Sequence, residues 1–197
     1  LKQSSDEQLV AAFQAGDQTA FTELVGRYEK RLFNYLQKFL GKRAWAEDVF
    51  QDTFLQVYTS VGRFDVTRRF RPWLYTIATN KARDLLRSHA RRPAVQLTAG
   101  DDQTGTNQLW DALLMHETTA EHLFDQKQER LLVRAVVAQL PDHLRQIILL
   151  AYFEQLSYKE MAQILQIPIG TVKSRLHAAV ANFSRRYREQ TGQAERT

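Results

Sequence analysis

An all-α fold is predicted for this chain: two small helical domains joined by a flexible linker, the C-terminal domain carrying a helix-turn-helix. Apolar residues recur at intervals of three and four through most of the sequence, and no stretch alternates as a strand does. Between the two periodic halves lies "PAVQLTAGDDQTGTNQ", polar, acidic and Gly-containing, which reads as a tether. The 197 residues, 44% hydrophobic with 8 Gly and 4 Pro, suffice for one large or two small domains. The division expected is residues 1–92, an acidic linker at 93–127, a second domain at 128–190 and a tail at 191–197.

Taken in order, Leu9, Val10 and Phe13 give the first helix its apolar face, with Ser4 and Glu7 spaced as a capping box. Gly16 with Asp17 breaks the pattern. It resumes at Phe21, Leu24, Val25, Tyr28, Leu32, Phe33, Leu36, Phe39 and Leu40, and Gly41 with Lys42 ends it again. A helix from Ala44 to Val61 would put Ala46, Val49, Phe50, Thr53, Phe54 and Val57 on one face and Glu47, Asp48, Gln51 and Asp52 on the other. Pro72 fits the first turn of a helix reaching about Ala90, because its missing N–H costs nothing there. After Pro93 periodicity is lost, returning weakly over Trp110 to Phe124. It is strong again from Glu129 through Leu131, Leu132, Ala135, Val136, Leu140, Leu144, Ile147, Ile148 and Ala151.

Near the C-terminus, "LSYKEMAQILQIPIGTVKSRLHAAV" reads as two short helices and a tight turn. Ser157 and Glu160 form a capping box, Pro168 and Gly170 make the turn, and Thr171 is expected to cap the second helix. Val172, Leu176, Ala179, Val180 and Phe183 would face inward, leaving Lys173, Ser174, Arg175 and His177 outward or lateral. Ala162 is small where the helices must cross closely. In a helix-turn-helix the N-terminal end of the second helix enters the major groove, where Arg or Lys bonds guanine edges.

Charge is segregated. The chain carries net +5, yet residues 63–92 hold nine basic and two acidic groups, whereas 93–129 hold one and seven. Interleaved with Phe64, Phe70, Trp73 and Tyr75, that basic block is a mixture suited to a polyanion with stackable bases. Trp73, Ile77 and Leu85 also fit a plain helix core. Zero Cys excludes disulfides and thiolate metal sites and fits a reducing compartment. The longest apolar run, Ile147 to Phe153, is far short of a membrane span, and no basic segment leads into an apolar N-terminus, so a cytoplasmic protein without direct membrane insertion is expected. The chain opens on Leu1, and the encoded start is expected upstream. "HETTAEH", His116 to His122, lacks the spacing of a zinc-protease helix, and no phosphate loop, nucleophile elbow or carboxylate dyad stands out. No enzyme, catalytic residue, small-molecule substrate, metal or cofactor is therefore expected.

"AEDVFQDTFLQVYTSVGRFD", then "FRPWLYTIATNKARDLLRSHARR", then a linker, then "LPDHLRQIILLAYFEQLSYKEMAQILQIPIGTVKSRL" resembles, in order and spacing, the two regions of a bacterial extracytoplasmic-function (ECF) sigma factor. The resemblance covers about Phe21 to Tyr187. It implies a factor that binds core RNA polymerase and directs promoter-specific transcription initiation, with an anti-sigma factor as a further partner. The helix Ala44 to Val61 would then dock on the polymerase clamp through Glu47, Asp48, Gln51 and Asp52, with Phe54 as apolar anchor. By the same resemblance the basic block would read and melt the minus-ten promoter element. Gly62 to Arg71 would form a pocket for an extruded base, Phe70 and Arg71 would close it, and Asn80, Lys81 and Arg83 would stand beside it. Asn80 leads this set because an amide offers donor and acceptor together. Arg87, Arg91 and Arg92 would meet phosphates.

The helix-turn-helix would read the duplex minus-thirty-five element through Thr171, Lys173, Ser174, Arg175 and His177. Two departures from the family's pattern stand out. Gln166 replaces the usual Gly at the helix end and must adopt a strained backbone or a different turn. Ala178 and Val180 replace basic residues, which lightens the phosphate grip. Two other readings compete: a stand-alone helix-turn-helix regulator with a sensing or dimerisation domain, and a sigma-like pair whose business is sequestering a partner. The acidic linker fits either a path along the polymerase channels or a simple solvated tether.

Overall fold

The structure, a computed structural model, describes residues 4–91 and 120–192. Arg92, the acidic stretch from residue 93 to 119 and His116 lie outside the described residues. The N-terminal half comprises α1 (Asp6–Gln14), α2 (Gln18–Leu40), α3 (Arg43–Ser60), a 3-10 turn (Val61–Arg63) and α4 (Phe70–Arg91). The C-terminal half comprises α5 (Ala120–Ala138), α6 (Asp142–Ile148), a π-helical turn (Leu149–Phe153), α7 (Tyr158–Leu165) and α8 (Ile169–Thr191). No strand occurs among the described residues, as the periodicity predicts. Helix α5 runs through the boundary expected between 127 and 128.

Local chemistry sets the helix ends. Asp17 caps α2 by accepting from the Thr19 N–H, and Gly41, in the left-handed region at φ 75, closes it. The N-terminal capping box is one residue later than expected, with Ser5 and Gln8 exchanging hydrogen bonds in place of Ser4 and Glu7. Glu7 is used elsewhere: its Oε1 accepts from the Phe70 N–H at 3.0 Å and caps α4 from across the bundle. Ser157 and Glu160 form the expected box on α7. Gln166 takes the left-handed conformation at φ 54 that its position demands.

Helix α8 starts earlier than expected. Pro168, extended at ψ 148, leads directly into Ile169, so Gly170 is helical and Thr171 lies inside the first turn without capping it. Ala179 takes the inward position there, and Val180, one residue on and rotated by about 100°, is 38% exposed rather than core.

The N-terminal core is aromatic: Tyr35, Phe39, Phe70 and Tyr75 are fully buried with Leu24, Leu32, Leu36 and Leu74. Tyr35 lies 5.4 Å from Tyr75 between ring centroids, and Phe70 packs edge-on to Phe64 at 6.0 Å. The C-terminal core is aliphatic, built from Ile147, Leu149, Leu150, Met161, Ile164 and Val172. The two halves touch: α7 packs on α4, and the π-helical turn packs against α2.

Candidate functional site

Three surfaces carry the chemistry expected from the sequence, and a seam between the halves carries chemistry that was not.

The first surface is the loop from Val61 to Arg69 with the adjoining side of α4. Helix α1 holds this loop at both ends. Gln14 Nε2 donates to the carbonyls of Val61 and Phe64, each at 2.8 Å, while Glu7 caps the α4 end. Within the loop, Asp65 Oδ1 accepts from the N–H and hydroxyl of Thr67 at 3.0 and 2.7 Å, a side-chain-closed turn. Those two hydrogen bonds hold the Asp65 carboxyl below the usual carboxylate range. The result is a cleft of about 460 Å³ lined by Arg63, Phe64, Asp65, Arg68, Trp73 and Thr76. Phe64 and Trp73 rings lie 4.7 Å apart in its wall. Cations, aromatic faces and a carboxylate thus converge on one opening.

Of the residues assigned to minus-ten contact, Asn80 and Lys81 are half-buried and Arg87 and Arg91 exposed on α4. The Asn80 amide makes no hydrogen bond to the described residues, leaving its donor and acceptor available. Phe70 differs: it is fully buried among Tyr28, Phe64 and Trp73, so it frames the cleft from behind instead of lining it. Arg71 and Arg83 are engaged by the other half of the molecule.

The second surface is α3. Asp48, Gln51 and Asp52 are exposed, and Glu47 accepts from Arg43 Nε at 2.8 Å. Phe54, expected as the apolar anchor, is only 9% exposed and packs on Phe50. One position along, Leu55 is 64% exposed, and Tyr58 is 48% exposed with its ring against Phe13 and Phe21. Helical rotation explains the change: Phe54 follows Val49, Thr53 and Val57 on the inward face, and Leu55 and Tyr58 share the outward one.

The third surface is the leading edge of α8. Lys173, Ser174 and His177 are exposed and Arg175 half-buried, with Lys173 poised 6.0 Å from the Tyr158 ring of α7. Ser174 donates back to the Thr171 carbonyl at 3.1 Å. Among the described residues neither Lys173 nor Arg175 forms an ion pair.

Sequence reasoning missed the seam. Glu154, 4% exposed, follows the π-helical turn. Its Oε2 accepts from the Tyr75 hydroxyl at 2.5 Å and from Arg71 Nη2 at 3.2 Å, with Arg31 at 3.7 Å. Arg71 also donates to the Glu154 carbonyl. Burial, reinforced by this carboxylate, pushes the Tyr75 phenol well above its ordinary value. Gln146, 1% exposed, accepts from Arg83 Nε and Nη2 at 3.0 and 2.6 Å and donates to the Tyr35 hydroxyl at 3.2 Å. Tyr35 in turn shares a 3.0 Å hydrogen bond with Thr79. Lys38, whose ammonium lies 3.9 Å from the Phe153 ring, is pushed down to about 8 by burial, against the pull of Glu154. The only sequence signal for the seam is that Glu154 is an acid directly after the longest apolar run.

Among the described residues no helix is long and apolar enough to cross a membrane, and no cluster of three or more His, Asp or Glu could hold a metal ion.

Comparison with known proteins aligns these surfaces with two recognised units. Residues 24–92 match Sigma-70 region 2, and residues 130–182 match Sigma-70 region 4. The chain is 33% identical to the ECF RNA polymerase sigma factor SigW of Bacillus subtilis over 82% of its own length and 86% of that protein. It is 34% identical to the RNA polymerase sigma-H factor of Pseudomonas aeruginosa over 91% and 92% of the respective chains. Among solved structures, CnrH in complex with the cytosolic domain of CnrY is similar with a TM-score of 0.66 at 26% identity, covering 92% of this chain and 96% of that one. The fold is also shared with the sigma factor RpoE of Bartonella quintana, solved with the anti-sigma factor NepR, at a TM-score of 0.61 and 21% identity over 89% and 98%.

Proposed function

This chain belongs to the extracytoplasmic-function group of the sigma-70 family, and we propose that its two regions divide promoter recognition between them. It is a sigma factor, not an enzyme: it binds core RNA polymerase and directs promoter-specific transcription initiation. The stand-alone regulator reading is not favoured, because both regions of an initiation factor are present in order.

In this proposal region 2 melts and reads the minus-ten element. Extruding a base costs a few kcal/mol of stacking, which aromatic contact and base-edge hydrogen bonds must offset. The observation that carries the reading is the cleft beside α4, where Phe64 and Trp73 supply aromatic surface and Arg63 and Arg68 supply cations. Asn80, one helical turn beyond the lining residue Thr76, brings an uncommitted amide. Lys81, Arg87 and Arg91 continue the basic surface along α4 toward the strand's phosphates. Region 4 holds the duplex minus-thirty-five element through Lys173, Ser174, Arg175 and His177. Thr171, half-buried in the first turn of α8, supports them.

Polymerase docking falls to the exposed side of α3. Glu47, Asp48, Gln51 and Asp52 suit a basic partner helix. Leu55 and Tyr58, rather than the buried Phe54, supply the apolar contact that dehydrates the pair. An anti-sigma factor is the further partner, as NepR is for the Bartonella RpoE, and the cytoplasm, where polymerase and promoter meet, is the compartment. The test is run-off transcription with purified core polymerase on genomic promoter fragments. Discrete transcripts that depend on the added chain are expected; no specific initiation from well-folded protein would overturn the reading.

A further inference from the structure

A smaller cavity lies where α2, α5 and the π-helical turn meet, and none of its lining residues belongs to the three surfaces described above. It measures about 170 Å³ and is lined by Gln37, Lys38, Gly41, Arg134, Val137 and Phe153. Among the described residues of its wall two are cations and none is acidic. Lys38, in the last turn of α2, rests its ammonium 3.9 Å from the Phe153 ring. Burial, helped by the charge of Arg134, pushes it down to about 8. Arg134 is half-buried and is itself pushed down by burial. Glu154 pulls Lys38 the other way, but its carboxylate is bonded to Tyr75 and Arg71 in the seam.

Gln37 adds a second, independent observation. It is 6% exposed, and its Nε2 is buried without a hydrogen-bond partner among the described residues. A donor shut away from water and left unpaired is costly, and native structures contain few. The carboxamide can turn about its last side-chain bond, which presents its N–H to the cavity without moving α2. Two half-dehydrated cations and one unpaired amide donor therefore converge on a space large enough to hold a ligand.

Charge and size select the occupant. A carboxylate brings one negative charge. A phosphate, whose second ionisation lies near pH ~6, brings close to two at neutral pH, with oxygens enough for the ammonium, the guanidinium fork and the amide together. The volume equals roughly six waters at their liquid share of ~30 Å³ each, room for a phosphate group and a short carbon substituent. Val137 and Phe153 supply the apolar wall beside such a substituent. We infer that this cavity binds a small phosphate, free or as the monoester of a short carbon chain, held by Lys38, Arg134 and Gln37. Lys38 and Gln37 belong to region 2 and Arg134 to region 4, so the ligand contacts both regions.

The site is independent of the promoter and polymerase contacts, since none of its three polar groups is among them. Isothermal titration calorimetry of the full chain with inorganic phosphate, at neutral pH and constant ionic strength, should give a saturable isotherm. Glycerol 3-phosphate in place of inorganic phosphate separates the two sources, the tighter of the pair being the occupant. Acetate, with half the charge, should bind about tenfold more weakly. Affinity for phosphate should fall as pH rises above about 8, where Lys38 loses its proton.

Lys38→Met and Arg134→Met should each weaken phosphate binding by about tenfold or more, the loss of one charge-assisted hydrogen bond. Lys38→Arg keeps the charge and should retain most of the affinity, a rescue that a merely structural role for Lys38 would not predict. Lys30→Met, at an exposed position of the same helix, should leave it unchanged. Gln37→Glu is nearly isosteric and sets a carboxylate against the anion, so binding should vanish while the far-UV circular dichroism stays that of the parent chain. Absence of saturable binding, acetate binding as tightly as phosphate, or undiminished affinity in Lys38→Met and Arg134→Met overturns the site.

Discussion

Region 2 and region 4 solve unlike problems with unlike cores. Region 2 presents three surfaces at once, the docking side of α3, the cleft beside α4 and the seam, and its interior is a lattice of Tyr28, Tyr35, Phe39, Phe70 and Tyr75 with fixed ring geometry. Region 4 has one helix to aim, and a small aliphatic core of Ile147, Leu150, Met161, Ile164 and Val172 is enough to set its crossing. The groups assigned to DNA differ as well. Region 2 offers the packed rings of Phe64 and Trp73, 4.7 Å apart in the cleft wall, whereas region 4 offers the exposed Lys173, Ser174 and His177. Fixed rings suit the holding of a single extruded base. Exposed and adaptable side chains suit the groove of a duplex.

The largest effects should come from the cores, and they should separate by region. Phe70→Ala should cost ~3–5 kcal/mol and Ile164→Ala ~2–5 kcal/mol. Of the three Trp, Trp45 and Trp73 lie in region 2, Trp110 lies between the regions and is replaced by Phe for this measurement, and residues 130–192 contain none. Denaturant unfolding followed by Trp fluorescence should therefore shift strongly for Phe70→Ala and little for Ile164→Ala, while far-UV circular dichroism registers both. Equal shifts in Trp fluorescence would mean that the seam makes the regions one cooperative unit.

A smaller effect is expected where α1 holds the loop of the cleft. Gln14→Ala removes two hydrogen bonds to the carbonyls of Val61 and Phe64, a loss of ~1 kcal/mol each. Promoter opening should weaken by several-fold, with core-polymerase binding unchanged in a pull-down. A parallel loss of polymerase binding would show that the loop is not independent of α3.

The smallest effect is a pH dependence centred on the first turn of α7. The Glu160 carboxyl is raised by burial, but hydrogen bonds from Ser157 and the charges of Arg71 and Arg69 outweigh that and hold it below its ordinary value of 4.5. Its folded-state value is thus depressed, so its stabilisation is complete above that ordinary value and is lost as pH falls through the folded one. Ser157→Ala should cost ~1 kcal/mol at neutral pH. Amide chemical shifts of α7 should show its acid sensitivity below pH 4.5 flattened; an unchanged acid limb would assign that sensitivity elsewhere.

Much of this was legible in the sequence because helical periodicity is a local property. The break at Gly41, the capping box at Ser157 and the buried face of Ala46, Val49, Thr53 and Val57 all follow from residues within a few turns of one another. Where adjacent residues satisfy a local rule almost equally, the expectation slipped by a residue or more. Ser5 rather than Ser4 caps α1, Pro168 starts α8 ahead of Thr171, and Val180 rotates outward. An aromatic residue type does not say whether it lines a site or fills a core, which is why Phe54 and Phe70 were assigned to contact surfaces although they are buried. The seam left one faint trace, the acid Glu154 directly after the longest apolar run, and its partners were not legible. Tyr75 and Glu154 are 79 residues apart in the chain, as are Arg83 and Gln146 by 63, and no period or cap connects them.

The central claim is the division of labour between the regions, and 2-aminopurine fluorescence at the minus-ten position tests it most directly. Holoenzyme carrying Asn80→Ala should bind duplex promoter but fail to unstack the probe. Holoenzyme carrying Lys173→Ala with Arg175→Ala should lose duplex affinity, by ~1–3 kcal/mol for each base contact, yet still engage a template already melted across the minus-ten element. Identical defects on both templates from the two variants would contradict the account.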